Sequence, residues 1–338
     1  MAQAHIASTY EAYPRADGAE HVARATRTHR QGRFEIATRK LPISKAEPID
    51  AMERELGIPV PEMIFGENAV AVRHAPTGWA IEFTARDALA AVDKTGRDML
   101  RVAYASEWSA SREQTSAGIR DVVKPYDWSY STTYRGTVHL GRPGPPPPAP
   151  STPPQDEHEN NGSGGRENGE NQTSAPLFLI PPPPPPPPAA TPVTAPAARQ
   201  FAPTTRGIPI ELLKRRDPIL FFDEVMLYES ELDDNGISIL SAKVRVHERR
   251  MLLLCRLFMR LDGVVVRVRD TRIYVDFETE EVIREYTVKE LAFEEVKRKL
   301  LMTGLTPDGV TIALRDANRI AELVPTIEQT LESVSLKS

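Results

Sequence analysis

Residues 143–202 set the first limit on how this chain can fold. Nineteen of its 31 prolines fall there, including PPPP at 145–148 and eight in succession at 181–188. Proline has no backbone N–H to give to a helix or a ladder, and the stretch between the two blocks, DEHENNGSGGRENGENQ, has no apolar side chain. Such a segment buries too little surface to offset its ordering entropy, so it is expected to be a disordered insert with polyproline II stretches. Any core must therefore be built from the flanks, across the insert.

The flanks have the material for one. The 338-residue chain is 40% hydrophobic, with a net charge of -5 and acid and base intermixed, so the clustered cations of a nucleic-acid footprint are not expected. Cys255 is the single cysteine, which excludes internal disulfides and cysteine-based zinc sites. No apolar run reaches the roughly 18 residues of a membrane span, and the polar N-terminus does not resemble a signal peptide. A reducing, cytoplasmic location is expected, with nuclear access open, and the N-x-S/T triplets at Asn161 and Asn171 read as accidental.

Before the insert, FEIATRK near Phe34, AVAVRH at 69–74 and WAIEF at 79–83 alternate apolar and polar residues as half-buried strands do. Helices are expected at Pro48–Leu56, closed by Gly57, and at Ala85–Val92. After the insert, ILFFDEVMLY, ISILSAKVRVH, MLLLCRLFMRL, VVVRVRD and IYVDF read as an antiparallel meander. ELDDNG joins the first pair, and a two-residue Asp262-Gly263 turn follows the third. MLLLCRLFMRL is apolar enough for a central strand buried on both faces. From Val288 onwards the period becomes helical, with Pro325 starting a last helix. The expectation is an α+β fold: an antiparallel β-sheet core, two-layer or sandwich-like, flanked by helices. Residues 1–28 read as a flexible N-terminus, and 29–142 with 203–334 as a single globular domain.

Catalytic signatures fail. There is no Walker A motif, no G-x-G-x-x-G, no H-E-x-x-H and no G-x-S-x-G, and the seven histidines are scattered. In FFDEVMLYESELDD, an extended chain would put Asp223, Glu229, Glu231 and Asp233 on one face, as a cation site or acid–base pair, although turn chemistry explains the end of that stretch as well. Arginines punctuate the apolar hairpin. Asp270, with Arg267 or Arg272, forms either a structural ion pair or a polar anchor facing a partner. In KPYDWSYSTTYRG, Tyr126, Trp128 and Tyr130 share one face of an extended segment, with Tyr134 beyond them. These rings are read as sheet packing ahead of contact with a partner.

LPISK, PEMIFGEN, IEFTARDAL, ASEW, KPYDWSYSTTYRGT, FFDEVMLYESELDDNGIS and VVVRVRDTRIY, in that order, resemble the TIPRL (TIP-forty-one-like) regulators of type 2A protein phosphatases in TOR signalling. The resemblance runs from about Phe34 to Tyr286, interrupted by the insert. It implies a non-enzymatic protein without cofactor or metal. Its partner would be the catalytic subunit of type 2A and related phosphatases, with a link to the alpha-four (Tap) type of phosphatase-associated protein. Positions used for phosphatase binding in the family map onto Asp87 in ARDAL, Ile208 before FFDEV, and Val268 and Asp270 in VRVRDTR. Arg272 joins them from the residue-level reading. A second expectation is a scaffold that recruits SH3, WW or profilin-type modules through the proline tract. A metal-dependent hydrolase built on the β-strand carboxylates is a third.

Overall fold

The computed structural model describes residues 23–92, 132–140, 199–231 and 236–337. Residues 143–198 of the insert, Tyr126, Trp128, Tyr130 and Asp233 lie outside the described residues, whereas 199–202, which the sequence reading counted with the insert, are described and belong to the folded unit. The described residues cluster into one compact unit.

Two antiparallel sheets make its framework. The first contains β1 (Thr26–Gln31), β2 (Phe34–Arg39), β4 (Ala69–His74), β5 (Trp79–Thr84) and β6 (Thr137–Leu140), in that spatial order. The second has eight strands, ordered β3 (Met63–Ile64), β8 (Phe221–Glu231), β9 (Gly236–Val246), β10 (Arg250–Leu261), β11 (Val265–Asp276), β12 (Glu281–Ala292), β13 (Thr326–Ser335) and β7 (Ala202–Pro203). Strand β3, from before the insert, pairs with β8 and extends the sheet built after it. The one large core lies between the sheets. Ile36, Val72, Ile81 and Phe83 of the small sheet pack against Val225, Val244, Leu253 and Ile273 of the large one. We call the latter the inner face of the large sheet.

Helices flank the framework. Helix α1 (Ala46–Leu56) ends at Gly57, whose φ of 67° is the left-handed C-cap that glycine adopts without a Cβ penalty. Helix α2 (Ala85–Ala90) is shorter than its apolar pattern predicts. Thr84 caps it, accepting the Asp87 N–H at 3.1 Å, and Ala88 and Leu89 are its buried residues with Ala85. Helix α3 (Ile210–Leu213) is a single turn, and α4 (Phe293–Met302), α5 (Pro307–Ala313) and α6 (Ala317–Leu323) cover one end of the large sheet's outer face.

Four sequence expectations change. Residues 326–335 form β13 and not a helix: Ile327, Leu331 and Val334 fit a helical spacing, but the free edge of β12 offers a full ladder to a segment rich in β-branched residues. Strand β12 likewise runs on to Ala292 before α4 begins. The Asp262-Gly263 hairpin has a three-residue loop, because Leu261 pairs with Val265. Only Gly263 has positive φ there, and the Val264 N–H closes the turn on the Leu261 carbonyl at 3.0 Å. Finally, a bulge between Met226 and Tyr228 breaks the alternation of β8, so Asp223 faces inward while Glu229 and Glu231 face outward. Asp223 is thus separated from Glu229 and Glu231, and the expected common face of carboxylates does not form. Strand β10 is central as expected, between β9 and β11, but its outer-facing Leu252, Leu254 and Arg256 are only half-buried.

The two described ends that bracket the insert converge on Trp79. Leu140 is its cross-strand partner, and the Phe201 ring sits edge-on to its indole at 5.9 Å.

Candidate functional site

The outer face of the large sheet decides where most of the candidate residues fall. Strand register places Leu252, Tyr274 and Ile283 in one cross-strand row, Leu254, Arg272 and Glu285 in the next, then Arg256, Asp270 and Thr287, then Phe258, Val268 and Lys289. The first and last rows are covered. Ile208 packs on Tyr274 and Ile283 at one end, and α4–α6 pack on Phe258 and Val268 at the other. The two middle rows form a polar strip between these apolar banks.

Asp270 is the centre of the strip. It is 0% exposed, so its charge survives only by pairing. Arg256 grips it with both arms, Nε to Oδ1 at 2.7 Å and Nη2 to Oδ2 at 2.8 Å, and Arg272 adds Nη2 to Oδ2 at 2.9 Å. The fork geometry of guanidinium suits a carboxylate held this way. Arg256 continues to the Ala317 carbonyl (3.2 Å) and Asn318 Oδ1 (2.9 Å), which ties the first turn of α6 to the sheet. Arg272 continues to Glu285 Oε1 at 2.9 Å and keeps 26% of its side chain exposed. Beside them, Lys289 donates to the Ala321 carbonyl at 2.6 Å; burial lowers its pKa, opposed by the nearby Asp270 charge. Thr287 Oγ1 is buried without a hydrogen-bond partner.

The strip is a charge-balanced clamp that can offer a partner the exposed part of Arg272. Ile208 and Val268 lie on its two banks, but Val268 is 0% exposed, so it shapes this surface without touching anything that binds there. Asp270 is likewise an internal anchor and not an exposed one. Its pairing with Arg272 is as expected from sequence, while Arg267 turns instead to Glu290.

Asp87 is not part of this strip. Half-buried on α2, its Oδ2 accepts from Thr137 Oγ1 at 2.6 Å, while capping of the helix is left to Thr84. Tyr134 links that corner to the inner face of the large sheet: its hydroxyl donates to the Glu82 carbonyl at 2.9 Å, and its own carbonyl accepts from Thr271 Oγ1 at 3.1 Å. Its ring packs edge-on against Phe83 at 5.8 Å. Tyr134 is therefore a packing residue.

Among the described residues no group of three or more His, Cys, Asp or Glu side chains is arranged to hold a metal ion. Asp223 is engaged by Thr38 Oγ1 at 2.6 Å, by Arg27 at 3.1 Å and by Lys40. Burial alone would raise its pKa, but the bonds from Lys40 and Thr38 outweigh that and hold it below the ordinary carboxylate value.

Sequence reasoning missed Arg256 and Glu285. A signal for Arg256 existed: a charge in the middle of the apolar run MLLLCRLFM demands a buried counter-charge.

Against known proteins, the chain matches the TIP41-like family over residues 63–297. It is 35% identical over 260 residues to the TIP41-like protein of Homo sapiens, covering 77% of this chain and 75% of that one. To the type 2A phosphatase activator TIP41 of Saccharomyces cerevisiae it is 31% identical over 315 residues, covering 88% and 72%. The Arabidopsis thaliana TIP41-like protein is 28% identical over 328 residues, 96% of each chain.

Proposed function

The chain belongs to the TIP41-like family, and on that premise we propose that it is a non-catalytic regulator of type 2A protein phosphatases, binding their catalytic subunit and modulating its activity or assembly in TOR signalling. The observation that carries this reading is the likeness, over 88% of the chain, to a protein named as a type 2A phosphatase activator. The outer-face strip supports it, since Arg272 and Glu285 sit between two apolar banks, the mixed chemistry of a protein-binding surface. The bulge that turns Asp223 away from Glu229 and Glu231 breaks up the carboxylate set on which a metal-dependent hydrolase would rest. An alpha-four-type protein is a second partner on this reading, and Asp87, at a separate corner, marks a second area of contact.

Calorimetric titration against a type 2A catalytic subunit tests it, using the full chain and a variant in which a short Gly-Ser linker replaces residues 143–198. Binding by both is expected. Binding that needs the insert would favour the proline-module scaffold, and binding by neither would sink the reading. Arg272→Ala and Asp87→Leu then probe the two areas, and each is expected to weaken binding; Arg272→Ala also leaves Glu285 unpaired and lowers Tm, so its binding is compared at a temperature where a cooperative transition shows it still folded.

A further inference from the structure

We infer that a cavity at the rim of the large sheet is a second binding site, one that takes a phosphorylated side chain of a protein partner. The inference concerns a different surface from the polar strip and does not depend on phosphatase binding.

Two basic sequences far apart in the chain meet there. KRRDP (214–218) leads into β8, and HERR (247–250) turns from β9 into β10. Short bonds fix the walls against each other: His247 Nδ1 lies 2.9 Å from the Pro218 carbonyl, and the Leu220 N–H donates to the Val246 carbonyl at 2.9 Å. From the small sheet, Gln31 Nε2 donates to the Glu248 carbonyl at 2.6 Å. Between the walls is a cavity of about 500 Å³ lined by Arg215, Arg249 and Arg250 together with Asp217, Glu248 and Leu220. That volume suits a small ligand or one anchoring side chain.

The charges inside are not balanced as they are in the strip. Arg250 is more than nine-tenths buried; one arm holds Asp217, but its Nε has no hydrogen-bond partner. A buried donor left unpaired carries a desolvation penalty, which a rearranging ligand would recover. Arg215 is exposed and has no ion-pair partner among the described residues. Arg249 has only Glu278, at 3.3 Å, with both side chains mostly in solvent, and such a pair contributes little. In a chain whose net charge is -5, three guanidinium groups converging on one cavity are an anion site in waiting.

The ligand chemistry follows from the donors. Three guanidinium forks match the three oxygens of a phosphate monoester better than the two of a carboxylate, and Arg clusters are the general solution for phosphopeptides. A protein source follows from the lip: Leu220 is 48% exposed and Ile219 51% exposed beside the cavity, an apolar foothold for a residue next to the phosphate. Glu248 works against the ligand, since its carboxylate repels phosphate.

The test is fluorescence anisotropy with a short peptide carrying one phosphoserine next to a leucine, its unphosphorylated counterpart, and inorganic phosphate as competitor. The phosphopeptide is expected to bind the full chain and the unphosphorylated peptide to fail. Arg215→Ala with Arg249→Ala should weaken binding at least about tenfold, as expected for lost charge-assisted bonds. Both side chains are exposed, so folding is preserved. Glu248→Gln should tighten binding severalfold, an effect that no loss of folding can imitate. Equal affinity for both peptides, or indifference to the double arginine variant, overturns the site. Inorganic phosphate competing as strongly as the phosphopeptide overturns the assignment to a protein partner.

Discussion

Replacing Asp270 with asparagine tests the physical role of the polar strip most directly. The substitution keeps shape and removes the charge that neutralises Arg256 and half of Arg272. Removing one partner of a buried ion pair costs about 3–5 kcal/mol, because the other charge is left in a low-dielectric site. Arg256 keeps the Ala317 carbonyl and Asn318 Oδ1, and Arg272 keeps Glu285. The low end, about 3 kcal/mol, is therefore expected, and in a domain of this size that lowers Tm by roughly 6–10 °C. Guanidinium unfolding monitored by tryptophan fluorescence measures it. The combination Arg256→Met with Asp270→Leu removes both charges and should recover most of the loss, coming within about 1–2 kcal/mol of the parent. An Asp270→Asn protein within 0.5 kcal/mol of the parent, or a double variant no better than the single, would refute the buried-clamp argument. The outcome also bears on binding. If Asp270→Asn lowers stability as calculated, any loss of phosphatase binding in that variant reflects the shape of the surface and not a lost contact.

Other consequences are measurable in the same assays. Gly136 has φ of 88°, and a Cβ there would lie 2.7 Å from Phe83 Cζ and 2.9 Å from Ile81 Cδ1, both side chains fully buried, so Gly136→Ala should cost about 3 kcal/mol in chemical denaturation. His74 is wholly buried, and burial lowers its pKa from 6.5 against the opposing pull of Glu280. Below pH 6.5 the unfolded chain takes up a proton that the folded chain resists, so stability falls as pH drops towards the lowered value; His74→Gln should flatten that part of the stability–pH curve. Because Leu140 and Phe201 already meet at Trp79, replacing residues 143–198 by about six linker residues shortens the 60-residue loop between them to about 10, roughly sixfold; the loop-closure entropy of a flexible insert predicts a gain of about 1.6 kcal/mol, and an unchanged or lowered midpoint would argue against a flexible loop.

The sequence by itself determined the elements whose evidence is local. Alternation found β2, β4 and β5, the Gly57 stop found the end of α1, and an apolar run found the central strand β10. The motif order also pointed to the family, because side-chain identities are read without coordinates. What needed the tertiary structure was everything that turns on register. A two-residue loop at Asp262-Gly263 would set Leu261 against Val264, and Arg256 would then face Arg269. The extra loop residue instead sets Leu261 against Val265 and Arg256 against Asp270, which creates the clamp. The bulge at Met226–Tyr228 likewise separates Asp223 from Glu229 and Glu231. The tail from Thr326 became a strand because β12 offered it an edge, a cause located about 40 residues away in the chain. The rim cavity joins KRRDP to HERR only once β8 and β9 are paired. Spacing along a chain reports which face a residue prefers; which residue it meets across a sheet is fixed by one-residue choices at loops and bulges, and these are settled by the packing of the whole domain.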